Sequence, residues 1–256
     1  MAGSLFNNNE REKRGRTLVF DIETVGEPFD ELDATTQEIL TKPFARPGAP
    51  EETAQQQDAR LEAIKSGMGI SPLTGFVVAV GMEDVEAGKR AVYYTNPNRL
   101  GEEWEEDGVQ FRALSERDIL AEFWRVAEHY HTFVTFNGRS FDAPFLMLRS
   151  AVHNVRPSKN LVAARYVYQH RPGAVHIDLL EQLTFYGALQ RAGSRSLHMF
   201  CRAFGIPSPK EEGTGAEVAA QWQRGEYEAI ARYNVSDVAA TSALYKAWQR
   251  TLGHLV

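Results

Sequence analysis

The sequence predicts an α/β domain on three observations. Short β-prone runs come first, amphipathic helical stretches alternate with them, and the last third is helical. With 256 residues, 43% of them hydrophobic, the chain has the length of one large domain and enough apolar material for a core. The longest near-continuous apolar stretch, Gly75–Met82, is far shorter than the roughly 18 residues a membrane span needs. No N-terminal stretch has the basic start and apolar centre of a signal peptide, and the single cysteine, Cys201, excludes an intrachain disulfide and a cysteine-based zinc cluster. The expectation is a cytoplasmic protein with no membrane partner.

Taken in order, residues 1–15 are polar and aperiodic and are expected to form a flexible tail, with one domain over 16–256. Thr17–Phe20 is a short apolar run that reads as a buried strand leading into acidic residues. Residues 26–72 hold five prolines and a polar stretch of good helix formers near 51–66, which predicts an insertion with one or two helices. Phe76–Met82 and Arg90–Tyr94 read as paired strands joined by a turn near Glu86–Lys89. The acidic run Glu102–Asp107 reads as a solvated loop. Ser115 is placed to cap a helix running to about His129, with Ile119, Leu120, Phe123, Trp124 and Ala127 on one face. Thr132–Phe136 is another strand, broken by Asn137-Gly138 before a helix over Phe141–Ser150. Val175–Ile177 then reads as a strand and Asp178–Leu189 as a helix. Breaks are expected at Gly193, Gly205–Gly215 and Gly225, the last preceding a helix over about Glu226–Trp248.

The net charge of −6 argues against a uniformly basic nucleic-acid binder. The distribution is uneven, however. Between Arg139 and Arg202 stand nine basic residues against three acidic ones, so this stretch either faces a polyanion or consists of ordinary solvated arginines.

Three short segments carry candidate chemistry. In Phe20-Asp21-Ile22-Glu23-Thr24 the period of a strand puts both carboxylates on one face, where they repel unless a cation lies between them. Mg²⁺ or Mn²⁺, which prefer oxygen ligands, would fit, and a solvated strand end is the alternative. In Asn137-Gly138-Arg139-Ser140-Phe141-Asp142 an acid opens a helix after a turn, which is also an ordinary N-terminal preference. In Tyr233-Asn234-Val235-Ser236-Asp237 the i, i+4 spacing sets the phenol beside the carboxylate. His176 and Asp178 share a face as well; a metal role is one reading, and an ordinary histidine beside a helix-start aspartate is the favoured one.

In this order the three segments resemble the motifs of the DEDD exonuclease superfamily, and Tyr233 places the resemblance in its tyrosine branch. Arg232 stands where the histidine branch carries its histidine. The wording Phe20–Thr24, Asn137–Asp142 and Tyr233–Asp237 is similar to the proofreading exonuclease domain of family-B DNA polymerases, and to a free-standing exonuclease family related to it. The resemblance covers most of Arg16–Trp248, least well across 26–72. It implies a ribonuclease H-like fold, a central mixed β-sheet with the first strand in the middle and helices on both faces. It also implies two divalent cations, Mg²⁺ or Mn²⁺. Asp21 would bridge them, Glu23 and Asp237 would complete the water-binding site, and Asp142 would hold the second ion. Tyr233 would orient the attacking water, with Thr24, Asn137 and Arg139 binding substrate. The implied activity is 3′-5′ hydrolysis of single-stranded DNA ends to 5′-mononucleotides. An exoribonuclease and a non-catalytic nucleic-acid-binding module are the alternatives, and any polymerase or repair partner would act in trans.

Overall fold

In the computed structural model the described residues are 15–42, 53–166, 174–189, 194–208 and 215–255. The expected tail, apart from Gly15, and the expected break at Gly193 lie outside them. Seven strands form one mixed sheet in the order β4-β5-β3-β2-β1-β6-β7. Their spans are β1 Thr17–Gly26, β2 Gly75–Asp84, β3 Lys89–Tyr94, β4 Glu103–Glu106, β5 Val109–Ala113, β6 Thr132–Thr135 and β7 Val175–Asp178. β1 runs antiparallel to β2 and parallel to β6. It is an interior strand one place from the geometric centre, which β2 occupies.

Strand periodicity sends β1 side chains to two different environments. Leu18, Phe20 and Ile22 enter a core shared with Ile119, Leu120 and Phe123 of α3 (Glu116–Ala127) and Phe145 and Leu146 of α4 (Asp142–Val152). Phe20 lies 5.2 Å from Phe123, centroid to centroid; burying such a ring contributes about 1.5–3 kcal/mol. On the other face are Val19, Asp21 and Glu23, covered by α7 (Gly215–Arg224) and α8 (Tyr227–Thr251). Helices therefore flank both faces of the sheet.

The insertion forms the connection between β1 and β2. Its neck is closed by pairing of Gly26 with Gly75, by Glu27 N–H donating to the Thr74 carbonyl at 2.8 Å, and by the Thr24 hydroxyl donating to the Gly69 carbonyl at 2.7 Å. Its described residues include two α-helices, α1 (Ala34–Thr41), capped by Asp33, and α2 (Ala54–Gly67), which opens with a Thr53–Gln56 capping box.

Three expectations need correction. Glu103–Glu106 is an edge strand rather than a loop: it pairs with β5, and Trp104 stacks on Phe111 with centroids 3.8 Å apart. Its acidic side chains face water, as suits an exposed edge. The helix expected over Asp178–Leu189 stops early. α5 spans Leu179–Leu183, and the left-handed φ angles of Phe185, Tyr186 and Gly187 turn the chain away. α3 ends at Ala127, ahead of His129. The break at Gly205 is an αL cap that ends α6 (Leu197–Phe204), and Gly225 separates α7 from α8.

Candidate active site

The polar end of β1 exists because its neighbour β6 stops short. Parallel pairing covers only Thr17–Val19, so the amide of Ile22 has no strand partner on that side. The Asp142 carboxylate fills the gap, with Oδ1 accepting from Ile22 N–H at 3.0 Å. Asp142 stands at the start of α4 and is 3% exposed. The chain between β6 and α4 is held by Asp178, whose carboxylate accepts from the amides of Asn137 at 2.9 Å and Arg139 at 3.1 Å, and also from Leu180 at the start of α5. This is where ligands bind in open α/β sheets, beyond the carboxyl ends of adjacent parallel strands.

α8 brings the remaining groups. Tyr233, Asn234 and Asp237 face the sheet near Asp21 and Glu23. Asp21, Glu23 and Asp237 each offer an oxygen, and all three oxygens lie within 4.8 Å of one another. Asp142 is outside that mutually close set but near enough for its charge to act on both β1 acids. Burial raises the pKa of Asp21 well above the ordinary carboxylate value, reinforced by the charges of Asp142, Asp237 and Glu23. Glu23, 8% exposed, is raised by burial and by Asp237 and Asp142. Burial pushes Asp142 up to about 7. These groups carry one sign of charge, and among the described residues no lysine or arginine pairs with Asp21, Glu23 or Asp142. Such a donor set, all hard oxygens, suits a divalent cation. The Tyr233 hydroxyl is also held above its ordinary value, first by burial and then by the charges of Asp237 and Glu23, so it stays protonated.

The expected substrate contacts are placed unevenly. Asn137 is exposed, in the left-handed turn after β6 at φ +65°. Thr24 lines a cavity of about 810 Å³ that also meets Glu23, Phe141, Trp222 and the insertion residues Phe29 and Lys65. Its hydroxyl hydrogen is engaged by Gly69. The Arg139 side chain is 12% exposed, with Nε 3.4 Å from Glu181, and its Nη1 is buried with no hydrogen-bond partner among the described residues. Arg165 shares that glutamate with its side chain 57% exposed, whereas Arg149 is buried in a pair with Glu116. Arg171 and Arg191 lie outside the described residues. Phe141 packs against Phe145 as well as lining the cavity. His176 is a satisfied core histidine: Nδ1 is 2.8 Å from the Leu161 carbonyl and Nε2 is 2.8 Å from the Thr135 hydroxyl. The carbonyl can only accept, so the proton sits on Nδ1.

Two residues escaped the sequence reading. Asn234 donates to Asp21 Oδ2 at 2.8 Å, and Gly81, paired with Asp21 across the β1–β2 ladder, leaves room for it. The available signal was a polar residue in the buried stripe Ile230, Asn234, Val238, Thr241 of α8.

The family B DNA polymerase of the hyperthermophilic archaeon Pyrobaculum calidifontis is similar in structure, with a TM-score of 0.53 at 19% sequence identity. The match covers 91% of this chain and 24% of the polymerase, so the chain spans about a quarter of that protein's length. The shared fold is the ribonuclease H-like arrangement of a polymerase exonuclease domain, with its mixed sheet between helices. Residues 101–256, which include Asp142, Tyr233 and Asp237, match a family model described as a predicted 3′-5′ exonuclease related to the exonuclease domain of PolB. That match spans more than half of the chain, which therefore belongs to this family of predicted 3′-5′ exonucleases related to the exonuclease domain of PolB.

Proposed function

We propose that the chain is a divalent-cation-dependent 3′-5′ exonuclease that hydrolyses phosphodiester bonds at single-stranded DNA ends and releases 5′-mononucleotides. The observation that carries this reading is the convergence of Asp21 and Glu23 with Asp237, more than two hundred positions away in sequence, into a set of oxygens within 4.8 Å of one another. Asp21, Glu23 and Asp237 would hold one Mg²⁺ or Mn²⁺ ion, and Asp142, with Asp21, a second. When bound, such ions supply charge that activates water and stabilises the leaving oxygen.

The chain's own residues do the rest. Tyr233, protonated at neutral pH, orients the attacking water by hydrogen bonding and does not act as a base. The carboxylate of Asp178 fixes the Asn137–Arg139 turn, so that Asn137 faces solution where a terminal nucleotide would arrive. The cavity beside Glu23 is within the size range of small-ligand sites, roughly 300–1,000 Å³, and its aromatic walls suit a base while Lys65 suits a phosphate.

The test is digestion of end-labelled DNA and matched RNA oligonucleotides with Mg²⁺, with Mn²⁺ and with EDTA. Metal-dependent shortening from the 3′ end of DNA is the expected result. Preference for RNA would change the substrate assignment. Binding without turnover in either metal would mark a non-catalytic module.

A further inference from the structure

Asn234 is fully buried between α8 and the sheet, yet it is a polar residue in an apolar stripe. Its Nδ2 donates to Asp21 Oδ2 at 2.8 Å. A carboxylate can only accept, so the amide nitrogen must face Asp21 and the amide oxygen must face away. That oxygen points toward Gly81 and has no hydrogen-bond partner among the described residues. Packing alone does not call for an asparagine here, because an aliphatic side chain would fill the stripe without stranding a buried oxygen.

A second observation concerns the glycine that this oxygen faces. Gly81 pairs with Asp21 across the ladder. A Cβ at that position would stand 2.8 Å from Val238 Cγ2, and nearer still to Asn234 Oδ1. The glycine therefore sets how closely the Asn234 turn of α8 approaches the sheet. We propose that Asn234, seated over Gly81, is a positioning residue that fixes the rotation of the Asp21 carboxylate for divalent-cation binding. One hydrogen bond to Oδ2 holds the group while leaving Oδ1 and a second Oδ2 lone pair available to cations. This rests on the cation-binding reading of the acid cluster.

The experiment is calorimetric titration of the EDTA-stripped full chain with Mn²⁺. Loss of an outer donor to a metal ligand weakens affinity about 10–100-fold, and Asn234→Ala is expected in that range. Gly81→Ala should weaken binding in the wild-type background. In the Asn234→Ala background its penalty should be smaller, because the contact with Asn234 is gone and only the one with Val238 remains. In turnover assays Asn234→Ala should approach wild-type kcat as Mn²⁺ is raised, with the oligonucleotide KM unchanged. Circular dichroism and thermal unfolding in EDTA establish that each variant is folded, and if Asn234→Ala is not, the Gly81→Ala titration decides alone. A folded Asn234→Ala that binds Mn²⁺ within about twofold of wild type overturns the proposal, as does a Gly81→Ala penalty equal in both backgrounds. Asp21→Asn separates the two levels. If it binds Mn²⁺ as wild type does, the cation reading itself fails. If it loses binding while Asn234→Ala does not, only the positioning role falls.

Discussion

α8 covers two sets of buried acids on one face of the sheet and treats them in opposite ways. Farther along the helix, Ser242 and Lys246 reach Glu83, which is 1% exposed, at 2.5 and 2.9 Å, and Arg90 of β3 adds a third contact at 2.7 Å. Burial alone would raise the Glu83 pKa, but the hydrogen bonds from Ser242, Lys246 and Arg90 outweigh it and hold the group below its ordinary value. Nearer its start, the same helix offers Asp21 and Glu23 an asparagine, a tyrosine and another aspartate, and their pKa values rise. On the opposite sheet face Asp84 is neutralised as well, by Arg16 and the Tyr130 hydroxyl. Where the fold needs a buried acid for structure, it supplies the countercharge from its own chain. For Asp21, Glu23 and Asp142 no lysine or arginine among the described residues does so, and strongly perturbed acids gathered in a cleft are a sign of function.

The sharpest way to break this contrast is to neutralise one acid on the unpaired side. Asp21→Asn should lower kcat/KM by more than about a hundredfold, the upper end of what loss of an outer-shell partner produces. In EDTA the same variant should melt at a higher temperature than wild type, because a repelled buried charge has been removed. An Asp21→Asn protein that is both active and no more stable would show the two acid sets to be alike. Tyr233→Phe should act more mildly. General acid–base residues contribute about 10²–10⁴-fold, and a hydroxyl that only orients water should fall below about a hundredfold. The loss should appear in kcat, with oligonucleotide KM nearly unchanged. Equal changes in both would mean that the hydroxyl serves binding instead.

Much of this contrast was legible in local sequence, and its meaning was not. The period of two in Asp21-Ile22-Glu23 and the i, i+4 spacing of Tyr233 and Asp237 fixed which side chains share a face. Nothing local could show that α8 lies over β1; that came from motif order and resemblance. The approach of Arg139 to Glu181 spans α4 and β7, out of reach of any spacing argument. The edge strand at Glu103–Glu106 was hidden by its own charge, although the alternation of Val109, Phe111 and Ala113 in its partner carried the signal. Asn234 was passed over because a lone asparagine in a helix has no periodic signature, and its importance depends on a glycine in a distant strand.

A pH series sharpens the comparison, because the two sides should move in opposite directions. Asp142 has a folded pKa of about 7, above its unfolded value near 3.9. The folded state then holds more protons than the unfolded state, so this group's contribution to stability falls as pH rises between those two values. Glu83 has a lowered folded pKa, so its contribution is present above its unfolded value and is lost on acidification. In EDTA, the Tm advantage of Asp142→Asn over wild type should be small near pH 4 and widen toward pH 7.5. Saturating Mg²⁺ should narrow it, because only the wild type keeps Asp142 to hold the second ion. A gap that stays constant with pH, or one that Mg²⁺ widens, would mean that Asp142 is not strained by its surroundings.

The smallest effect belongs to the paired side. Lys246→Met keeps the aliphatic stem of the lysine and removes one of three donors to Glu83, leaving Ser242 and Arg90 in place. The lysine side chain is 40% exposed, so part of its attraction is already screened by solvent. A hydrogen bond to a charged group contributes about 1.5–3 kcal/mol, and the exposure moves the expectation to about 1–2 kcal/mol. In a protein of this size that corresponds to a Tm lower by about 2–8 °C. Exonuclease turnover and Mn²⁺ affinity should not change, since the lysine meets the sheet at Glu83 and the acid cluster has no share in it. If instead Lys246→Met altered Mn²⁺ affinity, the two stretches of α8 would be one electrostatic unit, and the division between acids the fold neutralises and acids it leaves for a cation would no longer hold.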